Sequence, residues 1–288
     1  MSRIAYVNGR YVPHMEARVH IEDRGYQFAD GVYEVIAVVG GRLVDGEPHL
    51  DRLERSLTEL DMAMPMARRP LRVVLAETMR RNSVHDGMIY LQITRGAARR
   101  DHAFPRGVRP ALVVTARRAA MPPDPDAIPG AKVITAPDIR WRRCDIKSVS
   151  LLPNVLAKQQ AIESGAYETW MVDDDGHITE GSSTNAWILA RDGCVVTRPL
   201  DNAILGGITR QTLIRLAHGA GVDVVERAFS VDEAKAAREA FMTSTTNLLR
   251  PVTQIDDAVI GNGEPGETSR RLLGLYLAYA RGETESCD

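Results

Sequence analysis

Of the 36 basic residues, 32 are arginines and only four are lysines: Lys132, Lys147, Lys158 and Lys235. A guanidinium does not deprotonate in a protein, so chemistry that needs a neutral primary amine must use one of these four. Lys235 lies in Ser230-Val-Asp-Glu-Ala-Lys, a helix start with a Ser-x-x-Glu capping box. Lys158 falls on the polar side of a helix read over about 153–165, and Lys132 opens a strand after a proline-rich stretch. Lys147 sits in Cys144-Asp-Ile-Lys-Ser-Val, alternating sequence that reads as a short strand, close to Arg143. Neighbouring cations lower a lysine pKa, and a neutral lysine forms Schiff bases. Taken alone, Lys147 is an ordinary solvated strand lysine.

Other residue types in the chain have chemical uses. Glu180 ends a strand just before the hydroxyl-rich turn Ser182-Ser183-Thr184. The pair Gly206-Gly207 opens an amphipathic helix beginning Ile208-Thr209-Arg210. Free backbone N–H groups at such a start, with a threonine hydroxyl, bind phosphate. Thr243-Ser244-Thr245-Thr246 is a strand end running into a second hydroxyl-rich turn, an anion cradle or a plain turn. Arg99-Arg100-Asp101-His102 is a charged loop, and Tyr33 starts a buried-type strand. Arg52 lies off the apolar stripe of a helix and reads by default as solvated.

These groups need a scaffold, and the sequence supplies one. Asn8-Gly9 between two short β runs marks a hairpin. Residues 32–39 are a strand, with Tyr33, Val35 and Ala37 on one face and Glu34 and Ile36 on the other. Leu50, Leu53, Leu57 and Leu60 stripe a helix over 48–62, and a second helix runs over 70–81. Strands follow at 88–94 and 108–115, and residues 22–31 read as a loop. Residues 119–131 hold four prolines. They are read as a linker between a small α/β domain, 1–118, and a larger β-rich domain, 132–288, that carries Lys147. The final helix covers about 266–281.

Hydrophobic content of 44% and charged content of 26% describe a globular chain with ample core. A net charge of -2 argues against a nucleic-acid or anionic-membrane partner. No apolar run is long enough to span a bilayer, and the first residues lack a signal peptide's apolar core. Cys144, Cys194 and Cys287 form no Cys-x-x-Cys, and the seven histidines form no His-x-x-x-His. No metal or disulfide framework is expected, and the cytoplasm is the expected compartment.

Taken in order, the pieces resemble the fold type IV pyridoxal-phosphate enzymes, and within them the D-amino-acid transaminases. The resemblance is carried by Glu22-Asp-Arg-Gly-Tyr-Gln-Phe-Ala-Asp-Gly-Val-Tyr-Glu-Val35, His49-Leu-Asp-Arg52, and Thr94-Arg-Gly96 with Arg100-Asp-His102. It continues through Ile139-Arg-Trp-Arg-Arg-Cys-Asp-Ile-Lys147-Ser, Thr179-Glu-Gly-Ser-Ser183, Gly207-Ile-Thr-Arg210 and Thr243-Ser-Thr-Thr246. It implies a two-domain α/β (α+β) fold, bound pyridoxal 5'-phosphate, amino-acid and 2-oxo-acid substrates, and a homodimer with shared active sites. Lys147 is then the Schiff-base lysine, and Glu180 the partner of the ring nitrogen. Arg52, Ile208, Thr209, Ser244 and Thr245 hold the phosphate, and Leu205 packs on the ring. Tyr33, Arg100 and His102 grip the substrate carboxylate, the last two from across the dimer. Arg99 is a second candidate for that grip, and Thr184 stands where a third serine is common. A branched-chain L-amino-acid transaminase, an aminodeoxychorismate-lyase-like enzyme and a non-catalytic phosphate-binding module are the competing readings.

Overall fold

The alternating strands of the N-terminal half pair into one sheet. The structure, a computed structural model, describes residues 3–120 and 125–283. Strands β1 (Ile4–Val7) and β2 (Arg10–Pro13) are joined at Asn8 and Gly9, both with positive φ, as the tight hairpin turn requires. With β3 (Gly31–Val39), β4 (Arg42–Leu43), β5 (Gly87–Thr94) and β6 (Ala111–Arg118) they form an antiparallel sheet ordered β2-β1-β6-β5-β3-β4. Helices α2 (Gly46–Glu59) and α3 (Arg68–Arg81) supply apolar stripes to its core. Leu50, Leu53, Leu57, Leu71 and Leu75 meet Val32, Ile36 and Val38 there.

Some boundaries differ from expectation for local reasons. β6 starts three residues later than read, after Pro110, which has no N–H for the ladder. α3 begins at Arg68, with Pro70 inside its first turn, where a missing N–H costs nothing. The expected loop at 22–31 contains a short helix, α1 (Arg24–Phe28), capped by the Asp23 carboxylate, which accepts from Gly25 N–H.

A second sheet, mixed and nine-stranded, is ordered β12-β11-β10-β13-β14-β7-β8-β9, with β15 on β14. Its strands are β7 (Ala131–Pro137), β8 (Glu168–Val172), β9 (Ile178–Gly181), β10 (Asn185–Leu189) and β11 (Val195–Thr197). They continue with β12 (Val224–Glu226), β13 (Glu239–Ser244), β14 (Leu248–Ile255) and β15 (Ala258–Val259). Helices α4 (Leu152–Glu163), α5 (Ile208–Gly219), α6 (Val231–Lys235) and α7 (Glu267–Arg281) accompany it. Trp170, Ile188, Phe229 and Met242 are among the residues that fill its core.

The chain divides into two compact units, Met1–Met121 with Ile146–Ser150, and Pro122–Asp145 with Leu151–Asp288. The Lys147 segment, expected with the C-terminal domain, thus belongs to the first unit. It docks on the start of β3: Tyr33 N–H donates to Lys147 O at 3.0 Å, and Val32 bridges Ser148. Lys147 is therefore not in a strand of its own; a single bridge pairs its neighbour. Residues 121–124 of the proline-rich stretch lie outside the described residues, and Pro125–Ala127 is one 3-10 turn. Cys144 and Cys194 are free thiols, and Cys287 lies outside the described residues. Among the described residues, no helix is long and apolar enough to cross a membrane.

Candidate active site

In the first unit, β3 alternates as read and so presents Tyr33 and Glu34 to opposite faces. On the Tyr33 face, Lys147 Nζ stands 4.3 Å from the tyrosine ring centroid, a cation held on a π-face. The Lys147 N–H donates to Ser56 Oγ on α2 at 3.3 Å, which fixes the backbone behind the amine. Tyr33 lies 5.7 Å from Tyr90 on β5, ring to ring. Burial pushes the Tyr90 phenol up to about 12, so it stays protonated and donates to Gln92 Oε1 at 2.6 Å. The other lysines differ. Lys158 Nζ donates to the Tyr167 carbonyl, and Lys235 pairs with Asp256 at 2.9 Å. Among the described residues, Lys147 has no carboxylate at pairing distance, so its amine is not committed to an ion pair.

Glu34, on the core face, is fully buried and anchors His49 and Arg52 of α2. Arg52 Nε and Nη2 donate to its two oxygens at 2.8 Å each, and His49 Nδ1 lies 2.7 Å from Oε2. Arg52, read as solvated, is buried: the helix stripe widens to include His49, Arg52 and Ser56 because Glu34 waits opposite. Burial raises the Glu34 pKa, but the Arg52 guanidinium outweighs it and holds the carboxyl at about 2. Burial also depresses His49, which stays neutral at neutral pH.

Stability should therefore depend on pH through this triad. Because the folded pKa lies below the unfolded value, the triad's contribution is complete above the ordinary carboxylate range and is lost as pH falls toward 2. Glu34→Gln should cost about 3 kcal/mol at neutral pH, leaving Arg52 buried without its counter-charge. The gap between wild type and variant should close between about pH 4.5 and 2. Urea unfolding across that range reads it; a gap constant down to pH 2 would contradict the assignment.

Arg100 and His102 lie on an exposed loop of the same unit, clustered on Phe28. The Arg100 guanidinium is 5.0 Å from that ring and the His102 ring 5.4 Å.

In the second unit, Glu180 is buried at the end of β9. Its Oε1 accepts from Arg140 Nη1, and its Oε2 accepts from Asn185 Nδ2 at 3.0 Å and Leu205 N–H at 3.1 Å. Asn185 Nδ2 also donates to Leu205 O at 2.9 Å, tying that loop to β10. Arg140 further donates to both oxygens of Asp138, at 2.9 and 2.7 Å. Burial raises the Asp138 pKa, but Arg140 more than offsets it and keeps the carboxyl ionised. Asp138 and Glu180 thus face the same buried guanidinium, which orients both carboxyl groups. Burial pushes the nearby Cys144 thiol up to about 12, so it stays protonated.

Helix α5 starts at Ile208 with Gly207 as its N-cap and no side-chain cap. The Ile208 and Thr209 N–H groups have no acceptor among the described residues, and Thr209 is buried. Gly207 is required there: a Cβ would lie 2.1 Å from Asn185 Oδ1. Ser244, at the end of β13, accepts from Asn247 N–H at 3.2 Å and lies 3.3 Å from Thr246 Oγ1. Thr245 follows it, half-buried.

Residues 31–255 match the model of the amino-transferase class IV family. The chain belongs to that family. It is 41% identical over 265 residues to a D-alanine aminotransferase of Bacillus licheniformis, covering 92% of this chain and 93% of the relative. It is 39% identical over 284 residues to a D-alanine aminotransferase of Listeria monocytogenes, covering 97% and 98%. Among solved structures it is similar to a T.th. branched-chain amino acid aminotransferase with pyridoxamine 5'-phosphate. There the TM-score is 0.90 and the identity 26%, with 99% and 96% of the two chains covered. The Escherichia coli branched-chain enzyme shares the fold at TM-score 0.89 and 23% identity, over 100% and 97%. The two-domain α/β architecture expected from the resemblance is thus the fold of this class IV chain.

Among the residues of these clusters with no role in the sequence reading are Glu34, His49, Asp138, Arg140 and Asn185. Glu34 gave a signal, since alternation puts it on the face of Ile36. Arg140 gave none, being one arginine among 32.

Proposed function

We propose that the protein is a pyridoxal-phosphate-dependent D-amino-acid transaminase. It moves the amino group of a D-amino acid such as D-alanine to 2-oxoglutarate, in ping-pong fashion, giving pyruvate and D-glutamate. The observation that carries this reading is the likeness to two D-alanine aminotransferases over more than nine-tenths of each chain. The residues also suit the cofactor. A phosphate would find the Ile208 and Thr209 N–H groups, without acceptors among the described residues, on a helix N-terminus, a natural anion site. The buried Glu180 carboxyl, fixed by Arg140, Asn185 and the Leu205 N–H, suits a protonated ring nitrogen, and Lys147 offers an amine in no ion pair among the described residues.

When bound, the cofactor supplies an electrophilic carbonyl carbon and an electron-withdrawing ring. Lys147 would carry it and then take the proton from the substrate Cα. Glu180, oriented by Arg140, Asn185 and the Leu205 N–H, would hold the ring proton. Ile208, Thr209, Ser244 and Thr245 would bind the phosphate with Arg52, whose Nε and Nη2 already face Glu34; Leu205 would pack on the ring. Tyr33, Arg100 and His102 would grip the α-carboxylate, the last two from the partner subunit of a cytoplasmic homodimer. Their exposure within a single chain is consistent with that sharing. No nucleic acid or membrane is a partner in this reading.

The second reading, a branched-chain L-amino-acid transaminase, draws on the solved structures at 26% identity. Handedness decides between them, because the carboxylate grip sets which pose presents Cα–H to Lys147. Wild type should prefer D- to L-alanine by a large factor. Arg100→Ala and His102→Ala should each raise KM for D-alanine and 2-oxoglutarate about tenfold, with the cofactor still bound. Turnover of L-leucine or L-valine equal to that of D-alanine would promote the branched-chain reading.

A further inference from the structure

The loop that carries Arg100 and His102 has residues 99–104 exposed, so it cannot hold its shape by packing alone. A buried arginine does that instead. Arg24, at the start of α1, is 3% exposed. Its Nη1 donates to the carbonyls of Asp101 at 2.6 Å and Ala103 at 3.3 Å, and its Nη2 to that of His102 at 3.4 Å. Three consecutive carbonyls of the loop thus point at one guanidinium. Nε donates to Asp30 at 2.7 Å, and Asp30 also accepts from Arg95 Nε at 2.8 Å, so one carboxylate steadies two buried cations.

The backbone is joined at the same place. Arg24 N–H donates to Gly96 O at 2.9 Å, Arg95 N–H to Asp30 O at 3.1 Å, and Ala98 N–H to Glu22 O at 3.2 Å. Gly25 permits this approach, since a Cβ there would meet Thr94 Cγ2 at 2.2 Å. One turn along α1, the Phe28 ring is 4.9 Å from the Arg24 guanidinium. It is the ring on which Arg100 and His102 also rest.

We infer that Arg24 is a positioning residue for the substrate-carboxylate loop, fixing Arg100 and His102 through the Asp101, His102 and Ala103 carbonyls, with Phe28 as their platform. The inference rests on the reading above that this loop grips the carboxylate. Arg24 touches no substrate in it. A forked guanidinium is needed because a lysine has one nitrogen and cannot reach Asp30 and three carbonyls together.

The test is steady-state kinetics of the holoenzyme with D-alanine and 2-oxoglutarate. Arg24→Lys should raise both KM values roughly fivefold, leave kcat within about twofold, and leave the bound-cofactor absorption unchanged. Phe28→Leu should show the same split and serves if Arg24→Lys does not fold. In an Arg100→Ala/His102→Ala background, neither change should lower kcat/KM further, because the groups they position are gone. An equal loss in both backgrounds, or a fall in kcat at constant KM, would overturn the inference. If Arg100→Ala/His102→Ala is impaired while Arg24→Lys and Phe28→Leu behave as wild type, this inference alone fails. If Arg100→Ala/His102→Ala itself keeps wild-type KM, the carboxylate reading fails and this one with it.

Discussion

Lys147→Ala should abolish steady-state transamination, and it should do so without unfolding the chain. The amine is half-buried and no carboxylate among the described residues pairs with it, so its removal strands no buried ion pair there. What holds the segment is backbone: Tyr33 N–H to Lys147 O, Lys147 N–H to Ser56, and the bridge from Val32 to Ser148. None of these involves the side chain. The covalent route needs a primary amine, and the other three lysines do not replace it. Lys158 is bound to a carbonyl, Lys235 is paired with Asp256, and Lys132 belongs to β7. Loss of a nucleophile that also serves as base removes two functions at once, so a residual rate below about one part in a thousand is expected. After borohydride reduction of wild type, mass spectrometry should find the cofactor on the Lys147 peptide. Label on Lys132, Lys158 or Lys235 would sink the assignment.

Lys147 stood out in the sequence as a candidate because lysine is rare in this chain; Arg140 did not because arginine is common. Residue scarcity narrowed one search and abundance blurred the other. The elements around them were legible for the usual reasons of period and turn chemistry. Leu50, Leu53 and Leu57 form the buried stripe of α2, and Asn8-Gly9 makes its hairpin. Long-range pairing was the part that local pattern does not encode. His49 and Arg52 read as polar positions beside the stripe until Glu34 is placed opposite them across the helix–sheet contact. Likewise, Asp138 and Arg140 have no role in the sequence until β9 and β10 bring Glu180 and Asn185 to them. The short helix α1 was hidden among turn-forming residues, since Asp23 caps it and Gly25 serves a close approach rather than a bend.

Glu180→Gln should leave the cofactor bound while slowing a single turnover with D-alanine by roughly a hundredfold. The substitution keeps the shape of the side chain and removes its charge. Arg140 keeps both oxygens of Asp138, so the guanidinium is not stranded and the fold should tolerate the change. The carboxylate that would face the ring, however, is gone. A positive ring nitrogen would then face a neutral amide, whose NH2 must also contend with donors from Arg140, Asn185 and Leu205 N–H. Proton removal from Cα is the step that draws electrons toward the ring, so that step should carry the loss. Phosphate contacts at Ile208 and Thr209 lie on another element and should keep affinity near that of wild type. Stopped-flow absorbance of the loaded variant mixed with D-alanine separates these effects. An unchanged single-turnover rate would mean that another group holds the ring proton, and Glu180 would then be only the strut that fixes Asn185 and Leu205.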